Sequence, residues 1–194
     1  CHPLAPTPDF WGGGFLGLSL KNKEITMFKR YRLTSRHILP FHLIGNKQRL
    51  MPKLAPYVPS HRPFVAVFGG TGAEIVWKRQ SWRETYNDRS INMVNVFRVL
   101  QDRKARSELL ELCEYSPPSR DFYNESLQLL KKQETEPVKR AWAYLYVGNF
   151  SYGGIDPQIC APRHFVPDKA TSKKWLHLDV YLNALARRFR SVCI

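Results

Sequence analysis

The chain has 194 residues, 43% of them hydrophobic and 13% aromatic, enough for one medium domain with a buried core. Thirty Lys and Arg stand against 16 Asp and Glu, a formal charge of +14, and a surplus of that size favours a polyanionic partner, most simply nucleic acid, although it also suits a solvated basic surface. No apolar run approaches the roughly 18 residues of a membrane-spanning helix, so no membrane partner is expected.

The cysteines Cys1, Cys113, Cys160 and Cys193 form no C-x-x-C pair and have no histidine partners at zinc-finger spacing, so no metal site is expected. His37, His42, His61, His164 and His177 show no ligand pattern either. Scattered cysteines in a basic chain suit a reducing, cytoplasmic setting.

In chain order, residues 1–26 are Pro- and Gly-rich, lack the charged lead and apolar stretch of a signal peptide, and are expected to be an irregular segment or an N-terminal arm. Lys47 to Tyr57 reads as a short helix with Leu50 and Leu54 on one face, and His61 to Pro63 as a turn. Phe64 to Phe68 is a compact apolar run, expected to be a buried strand that ends in Gly69-Gly70-Thr71-Gly72. A helical segment, Ala73 to Lys78, leads to a second strand near Arg83 to Tyr86, with Asn87 and Asp88 at its end. Ser90 is placed to cap a helix over Ile91 to Leu100. Ser107 to Tyr115 and Phe122 to Lys132 have helical periodicity and are separated by Pro117-Pro118. Pro137 opens a third helix carrying Ala141 and Leu145. Residues 150–172 read as loop, Trp175 to Arg188 as an amphipathic helix, and Ser191 to Ile194 as the start of a strand.

Strand, glycine turn, helix, strand and acidic residue form the opening of an α/β sheet that places a ligand at the strand ends. The turn needs glycine to leave the strand sharply and to let a ligand approach a backbone without Cβ. A carboxylate at the next strand end can accept hydrogen bonds from ribose hydroxyls. A dinucleotide-binding domain is the weaker reading, because Ile75 stands where G-x-G-x-x-G needs its third glycine.

Three ordered strings, IGNKQRL (Ile44 to Leu50), FVAVFGGTGAEIV (Phe64 to Val76) and YNDRSINMVNVFRVLQ (Tyr86 to Gln101), together with VKRAWAYLYVGNFSYGG (Val138 to Gly154), resemble the Dam-type family of adenine-specific DNA methyltransferases over residues 40 to 194. The resemblance implies a Rossmann-like S-adenosylmethionine-dependent methyltransferase fold, an α/β core with an incomplete sheet and an inserted helical target-recognition region. It divides the chain into the segment 1–26, a first part of the core at 27–100, the helical region at 101–170, and a helix and strand returning to the core at 171–194.

The resemblance also implies S-adenosylmethionine as cofactor, with Leu43, Lys47, Phe68, Gly70, Gly72 and Asp88 on the cofactor-binding positions. Here Asn46 replaces the second glycine of the family's first signature, and Ala66-Val67 replace its Glu-Pro. Double-stranded DNA is the implied partner of a monomer, with Lys131, Lys139, Arg140, Tyr152 and Arg163 as DNA-facing candidates. Each phosphate neutralised adds about −0.9 to the salt slope of binding.

Methyl transfer to an amino nitrogen needs acceptors for its protons and an aromatic ring on the flipped base, which the family builds as Asp-Pro-Pro-Tyr at a strand end. Ser116-Pro117-Pro118-Ser119 matches only in part and reads as a helix break, and Asp156-Pro157-Gln158 has one proline. The expectation is therefore a fragment of an adenine methyltransferase with no catalytic residue of its own, the alternative being an inactive DNA- or cofactor-binding remnant.

Overall fold

A computed structural model describes residue 39 and residues 47–132, 134–151 and 174–194. The expected segment 1–26 lies outside them, as does most of the expected loop at 150–172. Among the described residues a small parallel sheet is covered by helices, a mixed α/β arrangement.

The expected helix over 47–57 is broken into a 3-10 turn at Lys47–Arg49, a short helix α1 (Met51–Leu54) and a second 3-10 turn at Ala55–Tyr57. Pro52 and Pro56 are the cause: neither has an N–H to donate, and each is tolerated only in a first turn. The buried residue of this stretch is Met51, while Leu50 and Leu54 face solvent.

Strand β1 (Phe64–Ala66) is followed by helix α2 (Ala73–Trp77) and strand β2 (Glu84–Tyr86). The strands run parallel with Phe64 opposite Glu84 and Ala66 opposite Tyr86. The β1 strand is shorter and more exposed than its apolar run suggests, with Val65, Val67 and Phe68 all exposed. Among the described residues it lies at the sheet edge, and beyond Ala66 the Gly69 N–H still donates to the Asn87 carbonyl at 2.8 Å while Asn87 Nδ2 donates to the Val67 carbonyl at 2.8 Å.

Ser90 caps α3 (Ile91–Gln101) by accepting from the Met93 N–H. Asp102 does the same for α4 (Arg103–Glu114), and Ser119 for α5 (Arg120–Lys131). Pro137 starts α6 (Pro137–Phe150), where both carboxylate oxygens of Glu136 accept from the N–H groups of Val138 and Lys139. From Ala141 to Phe150 every residue of α6 is buried. A helix buried all round is a central one, and α6 packs against α3, α4 and α5.

Helix α7 (Leu178–Phe189) returns the chain to strand β3 (Val192–Cys193), which pairs parallel with β2 and completes the order β1-β2-β3. Gln101 Nε2 donates to the carbonyls of Phe189 and Val192, at 2.8 and 2.7 Å, and so satisfies an acceptor at the end of α7 and ties the first residue of β3 to α3. Tyr86, Phe97 and Phe189 meet behind the sheet, the last two stacked with ring centroids 4.2 Å apart. No helix of the described residues is long and apolar enough to cross a membrane.

Candidate functional site

Because β1 and β2 are parallel neighbours, their C-terminal ends lie side by side. The chain leaves β1 through Val67 and Phe68 and enters the glycine turn, whose three glycines are not equivalent. A Cβ on Gly69 would lie 2.3 Å from the Tyr86 ring. Gly72, at φ +75°, caps α2, and a Cβ there would come within 2.7 Å of Phe189 and 3.0 Å of Phe97. Packing therefore requires glycine at both positions. Gly70, at φ +48°, has nothing within 4 Å of where its Cβ would be. The open approach that the sequence assigns to the whole turn belongs to Gly70, since two aromatic rings already fill the space over Gly72.

Asp88 holds this turn. Its Oδ2 accepts the Gly70 N–H at 2.7 Å, and its Oδ1 accepts the Ser90 N–H at 2.8 Å. Tyr86 adds a second clasp, its hydroxyl donating to the Gly70 carbonyl at 2.7 Å. Each Asp88 oxygen has a further lone pair, and the residue is partly exposed, so it can still accept from a ligand hydroxyl. Tyr144 of α6 stands close by. Burial raises its phenol above the ordinary value, a hydrogen bond with Ser90 opposes the shift, and the Asp88 charge adds to it. Burial, then the Asp88 charge, raises Tyr86 in the same way. Both phenols stay protonated at neutral pH.

Lys47 reaches the turn from the other side. Its ammonium donates to Glu74 Oε1 at 2.6 Å and to the Phe68 carbonyl at 3.3 Å, and the side chain is 42% exposed. The Phe68 ring stands in solvent, 78% exposed. The structure thus brings Lys47, Phe68, Gly70 and Asp88 into one neighbourhood, and Leu43 lies outside the described residues.

Of the DNA-facing candidates, Lys131 ends α5 and Lys139 lies in the first turn of α6, both exposed. The Arg140 guanidinium is engaged within the chain: Nη1 donates to Asn92 Oδ1 at 3.0 Å and Nη2 to the Lys132 carbonyl at 2.5 Å. Asn95 Nδ2 donates to the Pro137 carbonyl at 2.7 Å. Since Asn92 and Asn95 belong to the first turns of α3, just past Asp88, these bonds fasten the basic corner between α5 and α6 to the end of the sheet that carries Asp88. Tyr152 and Arg163 lie outside the described residues.

The segment Ser116 to Ser119 joins α4 to α5 with no strand leading into it. Aromatic tips hold it: Trp142 Nε1 donates to Ser116 Oγ at 3.0 Å, Trp175 Nε1 to the Ser116 carbonyl at 2.8 Å, and Tyr146 Oη to the Pro117 carbonyl at 2.8 Å. It is a fixed helix connection.

At the opposite end of the sheet lies a charged cluster that periodicity does not reveal. Glu84, the first residue of β2, is buried and accepts from Lys78, from the Ser81 N–H and from Nη1 and Nη2 of Arg188. Burial alone would raise its carboxyl, but the hydrogen bonds from Arg188, Lys78 and Ser81 outweigh that and lower it to about 2. The available signal was a carboxylate opening a core strand, six residues after a lysine. No group of three His, Cys, Asp or Glu among the described residues is arranged to hold a metal.

The fold and the site define an α/β protein with a glycine turn and an aspartate clasped together at adjacent parallel strand ends. Residues 43–155 match the model of the family described as D12 class N6 adenine-specific DNA methyltransferase. The match spans more than half of the 194 residues, and the chain belongs to that family. No individual curated protein matches it.

Proposed function

We propose that this chain supplies the S-adenosylmethionine-binding half of a DNA adenine methyltransferase with a Rossmann-like core. The observation that carries the reading is the 2.7 Å bond between the Gly70 N–H and Asp88, which aligns an open backbone and a carboxylate at neighbouring strand ends. The residues fit such a cofactor chemically. The cationic Lys47 suits an α-carboxylate, the bare backbone at Gly70 suits close approach, Asp88 suits ribose hydroxyls, and the exposed Phe68 ring offers an apolar wall. When bound, S-adenosylmethionine supplies a methyl group activated by its sulfonium. The chain's own residues orient it through these contacts.

In this reading residues 27–100 open the core, 101–170 form the target-recognition region, 171–194 return to the core, and the protein acts as a monomer on duplex DNA. Lys131 and Lys139 face phosphate, and the bonds of Arg140 hold their corner beside the site. The sequence contains no Asp-Pro-Pro-aromatic string, and this reading assigns no proton acceptor for the adenine amino group to these residues. This chain alone binds cofactor and DNA without transferring a methyl group.

Calorimetry with S-adenosylhomocysteine tests the reading. Wild type is expected to bind, and Asp88→Asn and Lys47→Ala to weaken binding by about tenfold each, the range of a hydrogen bond to a charged group. Binding unchanged in both variants, with the fold intact by circular dichroism, would place the cofactor elsewhere. Methyl incorporation into plasmid DNA by this chain alone would refute the division of labour.

A further inference from the structure

Glu74 is the residue at this turn that neither the glycine pattern nor the family strings single out. It follows Gly72 by two positions, on α2, and its carboxylate meets the Lys47 ammonium at 2.6 Å. The pair is partly open, with 42% of the Lys47 side chain and 22% of that of Glu74 exposed. Lys47 also bonds the Phe68 carbonyl at 3.3 Å, at the long end of the hydrogen-bond range. Phe68 precedes Gly70, the glycine with open space, by two residues. One shoulder of the turn therefore presents a cation, an anion and a carbonyl within a few ångströms, and Asp88 stands on the other shoulder.

We propose that Lys47 and Glu74 together read the zwitterionic amino-acid end of the ligand, Lys47 taking the α-carboxylate and Glu74 the α-ammonium. The proposal rests on the cofactor reading above and adds a specificity-determining residue to it. The physical case is complementarity. An α-amino acid carries one charge of each sign on substituents of a single carbon, and a Lys–Glu pair offers the opposite charges at matching spacing. A receptor with Lys47 alone would select any carboxylate. The added Glu74 selects against ligands that lack the ammonium, because Lys47 would then turn to the ligand carboxylate while Glu74 gained no cation in exchange. Opening the pair to admit the ligand costs little, since both side chains are partly exposed and solvent screens their attraction. The Phe68 carbonyl is a second acceptor for the ammonium.

The test is calorimetry of wild type and Glu74→Gln against three ligands. S-adenosylhomocysteine carries both charges, decarboxylated S-adenosylmethionine carries the ammonium without the carboxylate, and 5′-methylthioadenosine carries neither. Glu74→Gln is expected to weaken the first two by about tenfold and to leave the third unchanged within about twofold. Thermal melting of the variant, expected to match wild type, shows that the fold is intact. S-adenosylhomocysteine binding that is unchanged or tighter in Glu74→Gln would overturn the proposal and make Glu74 a competitor for Lys47, with the cofactor reading intact. An equal loss on all three ligands would also overturn it, because the effect would then be on the turn. Failure of wild type to bind any of the three would instead remove the cofactor reading itself.

Discussion

Gly72→Ala and Gly70→Ala, two substitutions in one turn, should separate stability from ligand binding. At Gly72 the added Cβ meets Phe189 at 2.7 Å and Phe97 at 3.0 Å. Neither ring has room to yield, since both are fully buried and stack on each other at 4.2 Å. Overpacking of that kind costs about 1–3 kcal/mol, and holding alanine at the left-handed φ costs about 1–2 kcal/mol more. The total, about 2–5 kcal/mol, corresponds to a Tm lower by roughly 5–15 °C in a chain of this size. Gly70→Ala incurs only the left-handed penalty, about 1–2 kcal/mol and roughly 3–6 °C, because nothing lies within 4 Å of its Cβ. That Cβ points into the space where a ligand would approach, so S-adenosylhomocysteine binding should fall by about tenfold or more. Thermal melting followed by circular dichroism, with calorimetry on the folded variants, reads both quantities. Equal Tm shifts would refute the assignment of Gly72 to packing. Unimpaired binding by Gly70→Ala would refute the assignment of Gly70 to ligand approach.

The Glu84 cluster makes stability depend on acid. Its folded carboxyl is lowered from the ordinary 4.5 to about 2, so the contribution is fully present above pH 4.5 and disappears as the pH falls toward 2. It amounts to about 3 kcal/mol. Glu84→Gln should lose about that much at pH 7, and its urea midpoint should vary less with pH between 4.5 and 2; a wild-type midpoint flat across that interval would count against the cluster. In the basic corner, Arg140→Ala should cost about 1–2 kcal/mol of stability through its lost hydrogen bonds. Lys139→Ala should leave the Tm unchanged but lower the salt slope of DNA binding by about 0.9. The opposite assignment of the two effects would show Arg140, not Lys139, at the phosphates.

Much of the helical architecture was legible because its signals are local. Ser90 and Pro137 mark helix starts through the hydrogen-bonding capacity of one side chain and the fixed φ of one ring, and α3 and α6 begin where these residues place them. The run Lys47 to Tyr57 misled for the complementary reason. Leucines at i and i+4 suggest a face, but Pro52 and Pro56 interrupt the helix, and Met51 is the residue that is buried.

The amino-acid sequence by itself determined that a glycine turn follows one strand and an aspartate ends the next, since turn chemistry and strand patterning act over a few neighbouring residues. The tertiary structure alone decided which glycine is open, because Phe97 and Phe189, distant along the chain, fill the volume over Gly72. It also decided that Asp88 clasps Gly70, that Arg140 points inward to Asn92, and that Glu84 is buried between Lys78 and Arg188. Residue type states what a side chain can bond to; which partner it meets depends on how remote segments pack around it.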